Sequence, residues 1–251
     1  MSRSKLTVLM PTFNEENNIK ECLESVKWAD DIMVVDSFST DKTLEIARQY
    51  TDNILQHEYI NSATQKNWAI PQAKNEWVLI VDSDERVTPE LRDEILAVLE
   101  KDGDGFDGFY IYRINHFKGK RINHCGWDKD DVLRLFRRDK GKYIDRQVHA
   151  DIILDGKSSH LKAKFLHYTF ISFEQYFKKF NKYTAWAAGD RAKKTKQVRW
   201  YHVTLRPAFR FFKQYIINLG FLDGIEGLII CMLSAFSVFM KYAKLWEMQK
   251  K

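Results

Sequence analysis

Three acidic side chains follow a strongly apolar run in WVLIVDSDE, residues 77–85. A buried carboxylate without a partner is costly to desolvate, so Asp82, Asp84 and Glu85 must face water, pair with cations or hold a metal ion. Where the chain leaves extended geometry, Asp82 and Asp84 can direct one carboxylate at a ligand hydroxyl and the other at a divalent cation, which would neutralise a diphosphate. The structural alternative is that Asp84 and Glu85 only introduce the following helix.

Polar residues also follow the first two predicted strands, in PTFNEEN (11–17) and DSFSTDKT (36–43). Asp36 can accept hydrogen bonds from a base edge or a ribose, and Asn14 and Glu15 can serve the same ligand. Their structural alternatives are helix starts and caps. Because neither a Gly-x-Gly-x-x-Gly turn nor a Walker lysine loop is present, a dinucleotide site and a P-loop are disfavoured.

Short apolar runs alternate with helical patterns over the first hundred residues. Helices are predicted over 16–28, from about residue 41, over 62–73 with an interruption at Pro71, and after Thr88 as N-cap, with Pro89 in the first turn. This βαβ repetition predicts a mostly parallel sheet with helices on both faces. Ligands bind beyond the carboxyl ends of the strands in such sheets, so the three polar clusters should converge on one crevice.

The remaining chain changes character twice. Residues 106–168 contain short β segments and a KGK turn, which predict a mixed or antiparallel half. Aromatic residues spaced by three and four then indicate helices over 173–188 and 205–219. The uncharged run 227–240 is shorter than the ~20 residues needed to cross a bilayer, which favours a buried or interfacial helix.

Composition limits the class of protein. With 251 residues, 45% hydrophobic and 29% charged, the chain suits one globular domain with a sizeable core and at most an appended element. Its three cysteines are far apart, which argues against a disulfide framework or a zinc site and favours a reducing cytosol. The apolar run that stops at Pro11 is too short for a signal peptide.

Positive charge is concentrated near the C-terminus, where residues 162–213 contain thirteen Lys or Arg against Glu174 and Asp190. Such a basic, aromatic region can bind nucleic acid, form a packed helical subdomain, dock on an anionic membrane or form a homodimer. Without a nucleic-acid motif, and with a long apolar segment beside the cations, we expect no nucleic acid and favour peripheral membrane docking.

Several segments resemble a known family. VLMPTFNEENNI, VVDSFSTDKT, QKNWAI and EWVLIVDSDE resemble the nucleotide-sugar half of inverting family 2 glycosyltransferases with the GT-A fold. GWDKDDVLRLFRR, VHADI, FLHYTF, RPAFRFFKQYI, GFLDGIEGL and KYAKLWE resemble the branch that adds glucose or a similar sugar to the lipopolysaccharide inner core. The resemblance covers nearly the whole chain. It implies a UDP-sugar donor, a divalent metal (Mg²⁺ or Mn²⁺) and a lipid-linked or heptose-containing acceptor at the cytoplasmic face of the inner membrane.

The resemblance also implies roles for particular residues. The nucleotide-sugar site would be formed by Pro11, Thr12, Asn14, Glu15 and Asp36, with Lys66 near the diphosphate and Asp82 on the ribose or the metal. Asp84 would be the principal metal ligand, and inversion needs a general base, for which Asp130 is the first candidate and Asp131 the alternative.

One position departs from the family pattern, which usually reads Val-His-Glu where this chain has Val148, His149 and Ala150. In the family this Glu could serve as the general base, as a partner at the metal site or as an acceptor contact. Its absence puts this part of the site in doubt. His149 is a candidate ligand for the metal or the diphosphate, although a histidine at a strand edge is often structural, and His167 has the same two interpretations.

These observations predict an α/β GT-A domain over 1–170, with a nucleotide-sugar half (1–100) and an acceptor half (101–170), and a basic helical, membrane-associating region over 171–251. The predicted function is an inverting transfer of a hexose, preferably glucose, to a lipopolysaccharide core or other lipid-linked glycan. The alternatives are a nucleotide-sugar-binding protein without catalysis and a membrane-associated scaffold. Glucose and galactose donors differ by one hydroxyl, so the sequence does not name the sugar.

Overall fold

Four parallel strands form one half of the main sheet in the computed structural model, which describes residues 3–128, 130–144, 151–170 and 173–250. They are β1 (Leu6–Thr12), β2 (Asp31–Asp36), β3 (Ile54–Gln56) and β4 (Trp77–Ile80). β1 lies between β2 and β4, and β2 also pairs with β3, all in parallel. The parallel half predicted from the βαβ repetition is therefore confirmed.

Four helices connect and flank these strands. They are α1 (Ile19–Val26), α2 (Thr43–Ala47), α3 (Ser62–Ala69) and α4 (Pro89–Glu100). The first helix is shorter than predicted at both ends, because it begins at Ile19 and ends at Val26 instead of spanning 16–28. As predicted, α3 stops before Pro71, where a 3₁₀ turn follows, and the Thr88 side chain caps α4 by accepting a hydrogen bond from the Leu91 N–H.

The two faces of β1 belong to two separate apolar cores. Leu6, Val8 and Met10 pack with residues of α1 and α4 on one face. Leu9 packs with residues of β2, α3 and β4 on the other. Because successive side chains of a strand point to opposite faces, a strand that is apolar throughout requires cover on both sides. The expectation of helices on both faces is thus confirmed.

The other half of the sheet is antiparallel. The remaining strands are β5 (Glu85–Val87), β6 (Gly108–Phe117), β7 (Lys120–Arg121), β8 (Asp131–Arg137), β9 (Gly141–Tyr143), β10 (Ile152–Leu154) and β11 (Ser158–Phe170). The order of the main sheet is β3-β2-β1-β4-β8-β6-β11-β5, with β7 paired to β6, and β9 and β10 form a separate hairpin. β8 is antiparallel to both β4 and β6, and β11 is antiparallel to β5.

The C-terminal third is helical. It contains α5 (Phe173–Ala192), α6 (Trp200–Val203), α7 (Leu205–Phe212) and α8 (Gly224–Lys250), with a π-helical turn after α7 and a 3₁₀ turn before α8. α8 packs against α5, α6 and α7. The uncharged run 227–240 is thus part of a 27-residue helix. Within the described part of the chain, the segment Gly220–Lys250 alone has the length and composition that crossing a membrane requires.

Contacts between residues divide the chain into two units. The first comprises residues 1–113 and 131–167, and the second comprises 114–130 and 168–251. The second unit therefore combines the C-terminal helices with the loop that precedes β8.

Candidate active site

The loops that follow β1 and β2 are joined by hydrogen bonds at the carboxyl edge of the parallel strands. Asn14 donates its backbone N–H to Ser39 Oγ over 2.9 Å, and its side-chain oxygen accepts from the Thr40 N–H at 2.8 Å. The Glu15 N–H donates to Thr43 Oγ1 at 2.8 Å. Asn14 and Glu15 thus fix the shape of this edge, as well as being candidates for ligand contact.

Asp36 and Thr12 lie opposite each other at the ends of β2 and β1. The buried carboxylate of Asp36 accepts from the Ser39 N–H at 3.0 Å and from Gln56 Nε2 at 3.1 Å. The buried hydroxyl of Thr12 has no hydrogen-bond partner among the residues that the structure describes. An unpaired buried hydroxyl beside a rigid carboxylate is suited to receive a polar ligand group.

Two aromatic side chains at this edge were not among the predicted site residues. Phe13 and Phe38 are 52% and 55% exposed although each lies in a polar loop. Phe38 also has a left-handed backbone, with φ of +61°. A left-handed backbone at a residue other than glycine costs free energy, which points to a functional role for this residue. An exposed aromatic ring is suited to stack on a planar ligand. The signal in the sequence was a single Phe within each polar cluster.

An ion-paired group of three cations and two carboxylates lies below the acidic segment. Lys66 Nζ is 2.9 Å from Asp82 Oδ1, and Arg134 pairs with the other Asp82 oxygen. Arg134 also donates to Glu85 Oε1 at 2.8 Å, and Arg113 lies 3.3 Å from the same oxygen. Both Asp82 oxygens therefore hold cations.

Burial and charge act against each other on the ionisation of this group. Burial would raise the pKa of Asp82, but the charges of Arg134 and Lys66 lower that pKa well below its ordinary value. Burial would lower the pKa of Lys66, yet Asp82 raises it above its ordinary value. Asp82 and Lys66 therefore stabilise each other's charged forms.

Asp84 lies beside His167, which the register of β11 with β5 brings to the acidic segment. The Asp84 Oδ2 and His167 Nε2 atoms are 3.6 Å apart. Burial would lower the pKa of His167, but the hydrogen bond and charge of Asp84 raise it. The histidine that meets Asp84 here follows it by more than eighty residues, so local sequence gave no indication of the pairing.

The Asp84–His167 pair fits one divalent cation in chemical type. A carboxylate oxygen and an imidazole nitrogen are donors that Mn²⁺ accepts, whereas Mg²⁺ favours oxygen alone. No group of three or more His, Cys, Asp or Glu suited to a metal occurs among the described residues. The two side chains would therefore supply only part of the ligands of such a metal, with the others coming from outside the described protein residues.

Asp130 and Asp131 are adjacent in the chain but have different partners. Asp130 lies in the second unit, where its carboxylate accepts from Asn115 Nδ2 at 3.0 Å. Asp131 lies in the first unit, where its carboxylate is 3.1 Å from His160 Nε2. The structure therefore separates the two candidates for the general base by their surroundings.

The loop that leads to Asp130 is held by the start of α8. Asp223 is 4% exposed, and its carboxylate accepts hydrogen bonds from the backbone N–H groups of Asn123 and His124. Gln214 donates to the carbonyl of Cys125 at 3.1 Å. A side chain at Gly227 would place a Cβ 2.0 Å from the Gly220 carbonyl oxygen, so this close contact requires glycine. The GFLDGIEGL segment is thus a brace for the loop.

His149, and the departure from Val-His-Glu at residues 148–150, lie outside the described residues. Pro11 is within β1, and its carbonyl accepts a hydrogen bond from Ser83 Oγ at 3.2 Å, which ties the acidic segment to the first strand. In the first unit the structure thus brings together Pro11, Thr12, Asn14, Glu15, Asp36, Lys66, Asp82 and Asp84 around one strand edge.

Comparison with known proteins identifies the class. The sequence model of Glycosyl transferase family 2 matches residues 7–155, more than half of the 251 residues. The chain therefore belongs to glycosyl transferase family 2, and it is a glycosyltransferase. The resemblance noted in the sequence is confirmed at the level of the family.

Similar proteins are found in bacteria and archaea. LpsC of Rhizobium meliloti (strain 1021), a lipopolysaccharide core biosynthesis glycosyltransferase, is 28% identical over 96% of this chain and 92% of its own. RT0209 of Rickettsia typhi, an uncharacterized glycosyltransferase, is 27% identical over 98% of this chain and 88% of its own. The structure of the mannosyltransferase PcManGT from Pyrobaculum calidifontis, in complex with GDP-Man and Mn²⁺, matches with a TM-score of 0.55 at 16% identity, covering 98% and 88% of the two chains. The GT-A fold class is confirmed.

Proposed function

We propose that this glycosyltransferase transfers a hexose, preferably glucose, from a UDP-sugar to a lipopolysaccharide core or other lipid-linked glycan, with inversion at the anomeric carbon. The observation that carries the proposal is the strand edge of a family 2 domain where Asp84 lies beside His167 and where Lys66, Asp82 and Arg134 form a buried ion-paired group. A carboxylate that can hold a cation, next to fixed Lys and Arg side chains, suits a diphosphate leaving group.

The acceptor class is supported by one relative. LpsC, named for lipopolysaccharide core biosynthesis, aligns with 96% of this chain, so the similarity includes the C-terminal helices. Glycan acceptors of that kind are carried on lipids, which agrees with a basic and apolar C-terminal third. The choice of UDP as the donor nucleotide is the more specific part of the proposal, because the PcManGT structure contains GDP-Man instead.

Each residue at the strand edge has a role in the proposed reaction. Asp36 and the Thr12 hydroxyl bind the nucleoside, and the exposed ring of Phe38 stacks on its base. Lys66 and Arg134 supply positive charge as the diphosphate departs, and Asp82 keeps both cations in place. Preorganised charges of this kind stabilise a transition state without reorganisation at the moment of reaction.

A divalent metal would be held by Asp84 and His167, whose donor atoms fit Mn²⁺. When bound, the ion supplies Lewis-acid stabilisation to the leaving diphosphate. Asp130 takes the proton of the acceptor hydroxyl as its oxygen attacks the anomeric carbon, and Asp131 is the alternative base. Asn115 orients the Asp130 carboxylate through the hydrogen bond described above.

The protein is proposed to be peripheral on the cytoplasmic face of the inner membrane. The buried residues of α8, Gly227, Ile230, Cys231, Tyr242 and Leu245, form one stripe along its length. The other side exposes apolar side chains, including Ile225, Met232 and Trp246. A helix that packs on protein along one stripe and exposes apolar side chains on its other side is suited to lie in a membrane interface.

A thermal-shift panel tests the donor and the metal together. UDP-, GDP-, ADP- and dTDP-sugars are added with and without Mn²⁺ or Mg²⁺, and we expect the largest increase in melting temperature with UDP-glucose plus Mn²⁺. A greater increase with a GDP-sugar would overturn the UDP assignment. No increase with any nucleotide sugar would favour the scaffold, and binding without turnover on acceptor would favour a non-catalytic sugar-nucleotide-binding protein.

A further inference from the structure

A cleft between α7 and α8, in the second unit, is lined by four basic side chains. They are Arg206, Arg210, Lys213 and Lys241, and the cleft has a volume of about 520 Å³. Its remaining lining residues are apolar side chains and tyrosines, so among the described residues no carboxylate lines the cleft. A concave surface lined by one sign of charge attracts the opposite ion.

One buried tyrosine gathers several cations at the floor of this cleft. The Tyr242 ring is almost fully buried, and the charged groups of Arg191, Arg206 and Lys241 lie 6.0, 5.2 and 5.1 Å from its centroid. Arg206 also donates a hydrogen bond to the Tyr242 hydroxyl. A ring face attracts a cation, but three cations around one ring repel each other, and a bound anion would relieve that repulsion.

Carboxylates do not neutralise this group. In the described part of the chain, the ion pairs of the second unit involve Lys120 and His124 instead. The Nε of Arg191 is buried and has no hydrogen-bond partner among the described residues. Burial, followed by the charges of Arg191, Arg206 and Arg210, lowers the pKa of Lys241. Arg206, Arg210 and Lys213 are exposed and Lys241 is half-buried, so an anion in the cleft can reach all four.

Apolar side chains surround the mouth of the cleft. Leu205 and Phe209 of α7 are 56% and 62% exposed, and no residue of α7 is buried. Exposed aromatic and aliphatic side chains next to Lys and Arg are typical of a helix in the headgroup region of a bilayer, where both kinds of side chain find partners. The ligand must therefore carry both an anion and an apolar part.

We propose that this cleft binds the phosphate of an anionic phospholipid headgroup, with Arg206, Arg210, Lys213 and Lys241 around the phosphate and the apolar side chains of α7 among the acyl chains. The inference rests on the membrane attachment proposed above and adds the site that selects the lipid. It is independent of which sugar is transferred.

The test is co-sedimentation of the full chain with vesicles of phosphatidylcholine, alone or mixed with phosphatidylglycerol. The wild-type protein should bind the mixed vesicles more tightly. Each basic residue near an anionic surface contributes about a fivefold effect, so Arg206→Gln/Arg210→Gln should bind them about 25-fold more weakly. The matched control, Lys20→Gln/Lys101→Gln, removes the same charge from exposed positions of the first unit and should bind like wild type.

The outcomes distinguish the proposed lipid site in the cleft from the proposed attachment of the protein to the membrane. If the wild type binds the mixed vesicles and the Arg206→Gln/Arg210→Gln variant binds equally well, the cleft proposal is overturned while attachment stands. If the wild type ignores both vesicle types, both proposals fail. Dimerisation in size-exclusion chromatography that the double variant abolishes, without vesicle binding, would assign the cleft to an interface between two copies of the chain. Melting temperatures of all variants verify that each is folded.

Discussion

The carboxylate of Asp223 accepts a hydrogen bond from the backbone N–H of His124 at 2.9 Å, across 99 residues of sequence. The same side chain accepts from the Asn123 N–H at 3.2 Å and contacts the His124 ring nitrogen at 3.1 Å. One buried acid, directly before α8, therefore fixes a loop that lies about a hundred residues earlier in the chain. The C-terminal helices thus support the loop that carries Asp130, besides any contact with a membrane.

We expect Asp223→Ala to destabilise the fold by about 2 kcal/mol, the usual effect of removing hydrogen bonds to a buried charged group. Sugar transfer should fall more than donor affinity, because the loop before Asp130 loses its brace whereas the nucleotide loops do not. Urea unfolding and kinetics with separate kcat and KM values measure the two effects. The exposed Glu247→Ala variant is the control. Unchanged stability of Asp223→Ala would contradict the bracing role.

Asp84→Ala should remove the metal-dependent part of UDP affinity and leave the fold intact, because an acid beyond the sheet edge contributes little packing. Calorimetric titration of UDP with and without Mn²⁺ measures this affinity. Asp52→Ala, at an exposed acid elsewhere in the first unit, should retain it. A wild-type response to Mn²⁺ in Asp84→Ala would show that the metal ligand is elsewhere.

Asp130→Asn should lower transfer by about 10²- to 10⁴-fold, the range for loss of a general base, while UDP-sugar affinity is retained. The amide keeps the side-chain volume and the partner Asn115 but cannot take a proton. Single-turnover transfer assays measure the effect. Wild-type transfer rates in this variant would reassign the base to Asp131, Asp151 or His149.

Arg134→Met should destabilise the protein by about 3 kcal/mol, because it leaves the fully buried Glu85 with Arg113 as its remaining ion-pair partner. The exposed pair of Arg92 and Asp93 offers a matched control, and Arg92→Met should cost less than about 1 kcal/mol. Denaturant unfolding measures both. In the double variant Glu85→Gln/Arg134→Met, the decrease in the free energy of unfolding should be smaller than the sum of the decreases in the two single variants. Additive losses would argue against a coupled buried pair.

Asp102 should make stability depend on acid pH. Hydrogen bonds from Arg137 first, then from Ser4 and Trp77, lower its pKa to about 2 from an ordinary value of 3.8. Because the pKa is lower in the folded state, this stabilisation is complete above the ordinary value and is lost as the pH falls towards 2. Asp102→Asn should flatten the melting-temperature profile in that window. The left-handed backbone at this position, φ +46°, tolerates Asn. If melting temperature depended on pH in the same way in the wild type and in Asp102→Asn, the lowered pKa of Asp102 would be contradicted.

Much of the fold was predictable because it depends on local patterns. The apolar runs that became β1, β2 and β4, the Thr88 cap and the stop before Pro71 all follow from side-chain periodicity and backbone chemistry. The sequence does not predict the short strand β5, which occupies the three residues between the acidic cluster and the Thr88 cap. Its pairing with β11 is a contact across some eighty residues, for which three residues of sequence carry no signal.

The sequence by itself determined the family, the parallel half of the sheet and the polar residues that must meet at its carboxyl edge, because strand ends are local features and parallel strands align them. The tertiary structure decided what those residues touch. It placed Asp82 between Lys66 and Arg134, His167 beside Asp84, Asp223 under the loop before Asp130, and four cations in one cleft of the C-terminal helices. Charge pairing acts through space over a few ångströms, so partners far apart in the chain are known only once the elements between them are packed.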